Sequence, residues 1–502
     1  MRKNSWFFMA VAIMALLAVP YVASAAPVKM IFTGTYQIVG TASDNVHDFT
    51  DSEVIMDGEG EYVDAFEDET NYVTQRFRLT SIAATENVKG VIGIEIGWDE
   101  WGKSYTTQSG LGNLGGSFAT GGDTGLMADT NSTNIEVRFA YVDFKIPDTG
   151  LSIAAGKQAL YTHQQLVFTA AVAAPGIQAL WDMGNGMNLK FWWAKLIEGV
   201  NPYSPAYGSL QGQGDSDQDF YYLELKKKFE GGTAGLYTAY ERDYRELATS
   251  LGSILETPLT TSDFDHTENW FGAFANFNIG PVNLDLHGVY STGEYEMVRN
   301  AAGDPDVDGS GWYGRVMANM KVGPTIVNAG MLYSSGDDNF EDDDYDVFGF
   351  VEAPSRFPSG SLIAMGPNLY FWGNGVAPEE YSAVCLPPSG THNLGHWFTN
   401  LGITYPMGKW KFVAEYWYLR SVEDPADPLT YDNPHADEVI GHEFDFEIHY
   451  ALTPNLTLSG EFDYLIAGDF FKDTRIDYAT GDDVTYGTDD AWLLAWGIMY
   501  KF

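Results

Sequence analysis

The sequence is nearly free of cysteine and poor in basic residues. Cys385 is the only cysteine in 502 residues, so no intrachain disulfide can form. Lysine and arginine together number 27 against 69 aspartate and glutamate residues, which gives a formal net charge of -42. Because a surface of this charge repels the phosphate backbone of nucleic acids, nucleic-acid binding is excluded.

Long apolar runs are missing beyond the N-terminal region. Arg2 and Lys3 precede an apolar segment from Trp6 to Val19, and Ala23-Ser24-Ala25 is typical of a cleavage site. This arrangement predicts a signal peptide over residues 1–25 and export from the cytoplasm. No later segment approaches the ~18 apolar residues of a membrane-spanning helix. Helical membrane spans are therefore excluded for residues 26–502.

Aromatic residues and glycine are abundant and follow an alternating pattern. Aromatics make up 15% of the chain, and there are 54 glycines. Near the C-terminus, every second residue from Trp492 to Phe502 is large and apolar, which indicates a β-strand with one apolar face. In another such segment, Ile135, Val137, Phe139 and Tyr141 are expected on the apolar face, opposite Glu136, Arg138 and Ala140. Similar alternation occurs at about 92–99, 189–193, 282–287, 410–418 and 443–450.

The connections between these segments alternate between short and long. Turns rich in Gly, Pro and Asn occur at 85–87, 147–150, 184–186, 230–232, 280–281, 323–324, 406–408 and 453–455. Polar loops lie between them at about 41–70, 101–132, 159–175, 197–218, 243–267, 292–310, 334–395, 420–438 and 466–489. Short turns on one rim and long loops on the other are typical of outer-membrane barrels. We predict that residues 26–502 form one all-β domain, a transmembrane antiparallel β-barrel of 16–18 strands with 18 favoured. The turns would be periplasmic and the loops extracellular, with 334–395 a long acidic loop.

Three segments resemble those of the trimeric outer-membrane porins of Gram-negative bacteria. They are the terminal strand ending in Tyr500-Lys501-Phe502, the strand from Arg138 to Phe144, and Leu151–Gln158, which ends in Gly156-Lys157-Gln158. The last is similar to the Gly-Arg-Gln ending of the fifth strand in such porins. The resemblance implies an outer-membrane homotrimer with a water-filled channel for passive diffusion of small hydrophilic solutes and ions. It also implies an inward, constricting loop at 159–175, although this loop lacks the acidic residues usual in the family.

Charged residues on the polar faces of the strands are expected to line the channel, because a barrel of this size leaves a wet interior. Basic residues predominate on strands two to eight, and acidic residues on strands sixteen and seventeen. If the two sets face each other, they produce a transverse field that orders dipolar solutes and selects ions weakly. The alternative is that neighbouring opposite charges neutralise each other along the wall. The predicted pore-lining residues are Arg76, Arg78, Glu95, Glu136, Arg138, Lys157, Lys190, Lys226, Asp285, Lys411, Glu415, Glu443, Asp445, Glu447, Glu461 and Asp463.

One loop motif suggests a metal. Asp304, Asp306 and Asp308 are followed by Gly309, which matches the start of a calcium-binding loop. The twelfth position is Arg315 rather than Glu, so an EF-hand is not predicted. No cofactor is expected to be required. The hypothesis is that Ca²⁺ binds in the extracellular loops or bridges them to lipopolysaccharide, and the alternative is a solvated acidic loop. Outer-membrane lipid and lipopolysaccharide are the other expected partners.

Other functions are distinguishable from a general porin. The nine histidines are scattered and form no recognisable catalytic arrangement, so an enzyme is not predicted. A substrate-specific outer-membrane channel would show saturable transport. An adhesin-like structural barrel, acting through its long loops, would show no conductance.

Overall fold

The structure of the chain, a computed structural model, describes most of the predicted strands and part of their connections. The described residues are 27–44, 54–56, 62–64, 70–100, 135–168, 173–197, 218–243, 264–297, 307–337, 344–348, 394–423, 437–476, 483–486 and 488–502. The predicted signal peptide, Cys385 and most of the acidic loop 334–395 lie outside these residues.

Eighteen antiparallel strands form a closed barrel, in agreement with the favoured strand count. Each strand pairs with its neighbours in chain order, and the first strand pairs with both the second and the last. The strands are β1 Lys29–Asp44, β2 Thr70–Ala84, β3 Val88–Glu100, β4 Ile135–Lys145, β5 Leu151–Gln158, β6 Ala174–Gly184, β7 Met187–Ile197, β8 Gln218–Phe229, β9 Gly232–Asp243, β10 Phe264–Ile279, β11 Val282–Met297, β12 Val307–Val322, β13 Thr325–Ser334, β14 His396–Met407, β15 Trp410–Arg420, β16 Val439–Thr453, β17 Leu456–Ala467 and β18 Ala491–Lys501. Closure leaves no unpaired sheet edge among these strands.

Outside the barrel strands, the described residues contain only short elements. Val54–Met56 pairs with Tyr62–Asp64, and Asp473–Ile476 pairs with Asp483–Tyr486. Asp344–Tyr345 runs parallel to the start of β12. Two single 3-10 turns cover His163–Gln165 and Asp469–Phe471. No helix among the described residues is long and apolar enough to cross a membrane.

All eight predicted short turns join neighbouring strands at one rim, and the strand ends that flank the nine longer connections lie at the other. Residues 185–186 form a two-residue hairpin loop in which Asn185 and Gly186 have φ of 51° and 74°. Positive φ at both positions matches the right-handed twist of the flanking strands, and Asn-Gly adopts it at low cost. The alternation of turns and loops is therefore confirmed where both ends of each connection are described.

The two faces of the wall differ in side-chain exposure. On β9, β10 and β12, Leu236, Phe271 and Trp312 are 63%, 53% and 59% exposed. Their neighbours Tyr237 and Trp270 point to the other side and are 5% and 0% exposed. We call the side with exposed apolar residues the outer face and the enclosed side the inner face. Since β-strand side chains alternate, an apolar outer face and a polar inner face follow from the period-two pattern.

The period-two assignment for residues 135–141 is wrong after Val137. In the pairing of β3 with β4, Gly93 lies opposite Phe139 and Ile94 opposite Val137, so Arg138 is an extra residue. This β-bulge shifts the alternation by one position, because two residues of β4 oppose one of β3. Phe139 and Tyr141 therefore share the inner face with Gly93 and Val91, and Ala140 lies on the outer face.

Candidate channel interior

The inner face of β15, β16 and β17 carries a continuous patch of carboxylates. We call Glu443, Asp445, Glu447, Glu461 and Asp463 the acidic ladder. Asp445 lies directly opposite Asp463, and Glu447 opposite Glu461, across the β16–β17 pairing. Glu415 on β15 extends the patch by one strand, because it lies opposite Asp445. Alternate residues of a strand are about 7 Å apart, so the ladder extends along the strands rather than converging on a point.

Two basic side chains lie next to the Glu447 carboxylate of the acidic ladder. The Lys411 amine is 4.0 Å from a Glu447 oxygen, and His449 Nε2 is 2.6 Å from the same carboxylate. By contrast, no described basic group is hydrogen-bonded to Asp445 or Asp463, and each pairs with the carboxyl group of its strand neighbour, Glu443 or Glu461. These two side chains are 2% and 0% exposed. The ladder is therefore a carboxyl-rich and poorly solvated part of the wall.

Arginines cluster around one glutamate on β2, β3 and β4. The Glu95 carboxylate lies 2.6 Å from Arg78, 3.0 Å from Arg138 and 3.8 Å from Arg76. Arg76 also donates a hydrogen bond of 2.8 Å to Gln37 on β1. Three guanidinium groups thus surround one described carboxylate, and we call them the arginine cluster. The bulge at Arg138 turns its side chain toward Glu95.

The acidic ladder and the arginine cluster do not face each other across the barrel. The acidic ladder and the arginine cluster are separated by only β18 and β1. The strands diametrically opposite β16 and β17 are β7 and β8, because eight strands lie between the members of each pair in either direction. Those strands carry the predicted residues Lys190 and Lys226 on their inner faces. The predicted basic pore-lining residues thus lie partly beside the acidic ladder, in the arginine cluster, and partly across from it, at Lys190 and Lys226.

The segment 159–168 after β5 packs against inner-face side chains of β7 to β11. Phe168 lies 5.4 Å from Trp192 and 5.0 Å from Phe220 between ring centroids. Leu160, Leu166 and Val167 are fully buried with them. Burial of large apolar side chains contributes about 2 kcal/mol each, so this aromatic cluster holds the segment to the wall.

The segment also closes on itself. The Thr162 hydroxyl accepts hydrogen bonds from the backbone N–H of Val167 and Phe168, at 3.2 Å and 3.1 Å. Gln164 lies in the left-handed region with φ of 53°. A non-glycine residue in this region carries a small conformational cost, which the surrounding contacts offset.

Polar contacts fix the tip of the segment over β8 to β11. The His163 ring stacks on Phe274 at 3.5 Å, and its backbone N–H donates to the Tyr222 hydroxyl at 3.1 Å. The Gln164 amide donates to both oxygens of Asp285 at 3.1 Å and 3.2 Å. His287 Nδ1 donates to Gln164 Oε1 at 3.0 Å. Gln164 is thus held at both ends of its amide.

The environment of His163 favours the neutral imidazole. Burial lowers its pKa from 6.5 to about 4, and the positive charges of Lys226 and Arg315 act in the same direction. The carboxylates of Glu224 and Asp285 oppose this effect without overcoming it. While the segment is packed against the wall, His163 therefore stays unprotonated in mildly acidic solution, where a free imidazole would be protonated.

The predicted pore-lining residues lie on the inner face with one exception. Lys157 is in register with Ala140, which is exposed on the outer face, so Lys157 points outward. The cause is the bulge at Arg138, which shifts the alternation on β4 and thereby the register seen by β5. Glu136 lies opposite Glu95 on the inner side but is exposed. Lys190 donates a hydrogen bond of 3.0 Å to the Tyr161 carbonyl, and Lys226 is 3.6 Å from Glu224.

The sequence analysis did not identify the residues that hold the segment 159–168. His163, Gln164 and Phe168 lie on it, and their main partners, such as Tyr222 and His287, lie more than 50 residues away along the chain. One signal was available, namely the aromatic residues at inner positions such as Trp192, Phe220 and Trp270. Large apolar side chains that face a water-filled lumen are unfavourable, so a loop is expected to fold inward and pack on them.

The calcium-loop motif at 304–309 is only partly within the described residues. Asp304 and Asp306 lie outside them, and Asp308 is exposed at the start of β12, opposite Glu294. Among the residues that the structure describes, no group of three or more His, Cys, Asp or Glu side chains could hold a metal ion.

Comparison with known proteins gives matches in structure only. No protein-family model matches the chain, and no curated protein matches its sequence. Pseudomonas aeruginosa OccK8 (OprE) is similar with a TM-score of 0.49 and 11% identity over 94% of this chain and 98% of that chain. Pseudomonas aeruginosa OccK5 (OpdH) gives 0.46 and 10% over 94% and 98%. The trimer form of OmpT, an outer-membrane protein of Vibrio cholerae, gives 0.38 and 11% over 95% and 99%. At these identities, the function has to be inferred from the chain's own residues.

Proposed function

We propose that the chain is an outer-membrane porin, a water-filled channel for passive diffusion of small hydrophilic solutes and ions. The observation that carries the proposal is a closed 18-strand barrel with large apolar side chains on its outer face and charged side chains on its inner face. An apolar exterior is stable only against lipid, and a charged interior only in contact with water or ions. An 18-strand wall also encloses more space than its own side chains fill.

The location and assembly of the protein follow from the same proposal. A signal peptide over residues 1–25 would direct export, and the long connections would lie on the extracellular rim next to lipopolysaccharide. The chain would assemble as the homotrimer that the family resemblance implies. The outer surface of β5 is suited to a subunit contact, since Ile153 and Ala155 there are small or weakly apolar, whereas Thr33 and Thr35 of β1 lie on the inner face with Gln37.

The narrow part of the channel would lie beside the docked segment 159–168. This segment presents Tyr161 and His163 near Lys190 and Lys226. The acidic ladder would face this region from the opposite wall, while the arginine cluster would lie next to the ladder. In this arrangement the predicted pore-lining residues other than Lys157 produce a field with one component across the channel and one along the wall.

The test is single-channel conductance of the detergent-extracted protein in a planar bilayer, with a salt gradient to measure ion preference. A porin gives large, weakly selective current steps, and a trimer gives them in groups of three. Heat-modified gel mobility confirms that the reconstituted protein is a folded barrel. A folded barrel that never conducts would contradict the proposal and favour the adhesin-like barrel.

A substrate-specific channel is the second candidate, because the acidic ladder and Glu415 together place carboxyl groups on three adjacent strands. Such a patch can bind a solute during passage, and flux then saturates as its concentration rises. Liposome-swelling rates over a concentration series distinguish the two, since a diffusion porin gives rates proportional to concentration.

A further inference from the structure

Lysine side chains are concentrated at the rim of the barrel where the short turns lie. We define this turn rim as the eight short turns with three strand residues on either side of each, the first three residues of β1 and the last three of β18. It contains nine lysines and five carboxylate side chains, whereas the whole chain has 27 basic and 69 acidic residues. The lysines are Lys29, Lys89, Lys145, Lys227, Lys228, Lys321, Lys409, Lys411 and Lys501, and the carboxylates are Glu86, Asp143, Asp148, Asp182 and Glu230. The side-chain charge of this rim is therefore opposite in sign to that of the chain.

Seven of the nine lysines lie on the inner face, at the mouth of the channel. Lys321, for example, lies between Met320 and Val322, whose side chains are exposed on the outer face. Lys501 is in register with Thr35, which lies on the inner face. The same alternation applies to the other strands, and we call the resulting set the basic ring. It consists of Lys29, Lys89, Lys145, Lys228, Lys321, Lys411 and Lys501.

Most of the basic ring is not neutralised by described carboxylates. Lys89 pairs with Asp143 at 2.8 Å, and Lys411 approaches Glu447 at 4.0 Å. The side chains of the other five ring lysines are exposed and make no ion pair or hydrogen bond with any residue that the structure describes. Because only water and mobile ions surround these five amines, their field extends into the solution at the channel mouth.

The ring lysines are spread around the whole mouth. They lie on β1, β3, β4, β8, β12, β15 and β18, so that consecutive lysine-bearing strands are at most four strands apart. Four strands cover about 19 Å of wall, and the screening length in 0.1 M salt is about 10 Å. The wall at this mouth is therefore everywhere within about one screening length of a lysine-bearing strand. Mobile anions accumulate in such a region, and mobile cations are depleted from it.

The opposite rim has the reverse composition. The longer connections begin and end there, and one of them, 41–70, contains eleven aspartates and glutamates and no lysine or arginine. A channel with opposite fixed charges at its two ends conducts unequally in the two directions. When the acidic end is at positive potential, cations enter from that end and anions enter from the basic end, so both accumulate inside. The opposite voltage removes both kinds of ion from the channel and lowers its conductance.

We propose that the basic ring makes the channel rectify, with the larger current when the extracellular side is positive. The inference rests on the proposed channel function, which places the turn rim in the periplasm. Small multivalent anions are attracted to the ring from the periplasmic side, because several lysines act on one such anion at once. Their accumulation there would screen the ring and reduce the rectification.

Single-channel currents at equal and opposite voltages, in 0.1 M and 1 M potassium chloride, test the proposal. The two currents should differ at 0.1 M and become nearly equal at 1 M, where the screening length is about 3 Å. Lys228→Gln with Lys321→Gln should reduce the ratio of the two currents at 0.1 M. Replacing all five exposed, unpaired ring lysines with Gln should bring this ratio to one.

The matched control is Lys227→Gln with Lys409→Gln, which removes two charges from the same rim but not from the basic ring. Lys227 lies on the outer face, and the Lys409 amine donates to the Leu452 carbonyl beside a turn. This variant should keep the current ratio of the wild type. Heat-modified gel mobility shows whether each variant is a folded barrel, and the double variant decides if the five-fold variant does not fold.

Pyrophosphate added to one side identifies the end that carries the ring. It should abolish the asymmetry when added to the side that is negative during the larger current, and have little effect from the other side. Equal currents at 0.1 M in an open channel, an unchanged ratio in the Lys228 and Lys321 variant, or pyrophosphate acting from the positive side would overturn the proposal. A folded barrel that never conducts contradicts the channel function itself, and the rectification fails with it.

Discussion

Acidification is expected to undock the segment 159–168 from the inner wall, because His163 is held neutral there. The pKa of His163 is 6.5 when the imidazole is free and about 4 when the segment is docked. Between these values the undocked form binds a proton that the docked form does not. Docking is therefore at full strength above pH 6.5 and weakens as the pH falls toward 4.

The magnitude follows from the two pKa values. The difference corresponds to about 3 kcal/mol in total, of which about 2 kcal/mol is already lost at pH 5. The aromatic contacts of Phe168 and the hydrogen bonds of Gln164 oppose undocking. The segment is thus expected to spend more time away from the wall at pH 5 without the barrel unfolding.

Single-channel recording at pH 7, 6, 5 and 4 measures the effect. We expect current fluctuations and a change in mean conductance that develop between pH 6.5 and 4. The variant His163→Phe keeps the stacking on Phe274 but cannot take up a proton, so its conductance should stay constant over this range. The same pH profile in wild type and His163→Phe would refute the reasoning, since another group would then be responsible.

Further predictions concern the arginine cluster, the aromatic cluster and the acidic loop motif. Replacing Glu95 with Gln leaves three arginines without their shared carboxylate, so the reversal potential in a salt gradient should move toward anion preference and the barrel should lose about 3–5 kcal/mol of stability, measured by urea unfolding on gels. Phe168→Ala removes a buried ring from the docked segment and should weaken docking by about 3–5 kcal/mol, seen as larger, noisier current at pH 7. Replacing Asp304, Asp306 and Asp308 with Asn should lower Ca²⁺ affinity in calorimetry, and equal affinity in wild type and variant would remove the motif as a calcium site.

The architecture of the barrel was predictable because the same local pattern, alternating apolar and polar residues followed by a turn signal, recurs along the chain. Side-chain alternation in β18 and the hairpin signal at Asn185-Gly186 are both properties of adjacent residues. Strand number and the identity of the rims follow from counting such signals, and each strand has a lipid-facing side that must be apolar. The same alternation assigned the acidic ladder to the inner face before any register was known.

The features that were not predictable depend on single residues or on distant ones. One extra residue at Arg138 switches Phe139 to the inner face and, through the next strand pair, Lys157 to the outer face. A bulge of this kind leaves no mark in the composition of the strand, and the error it causes extends through every residue counted after it. Alternation within single strands also does not show which charged regions face each other across the barrel. The sequence therefore did not reveal that the arginine cluster lies beside the acidic ladder rather than across from it.

The contacts of the segment 159–168 show why its role was left open by the sequence. Its lack of acidic residues distinguishes it from the constriction loops of the porins that it resembles, so the sequence did not decide whether it enters the lumen or packs at a subunit contact. The structure shows that its partners are inner aromatic residues and His287, whose ring lies 4.9 Å from that of His163 between centroids. Burial lowers the pKa of His163, so a segment without a single carboxylate can still respond to pH. The pH response of this segment therefore arises from burial of His163, and the number of acidic residues in the segment does not predict it.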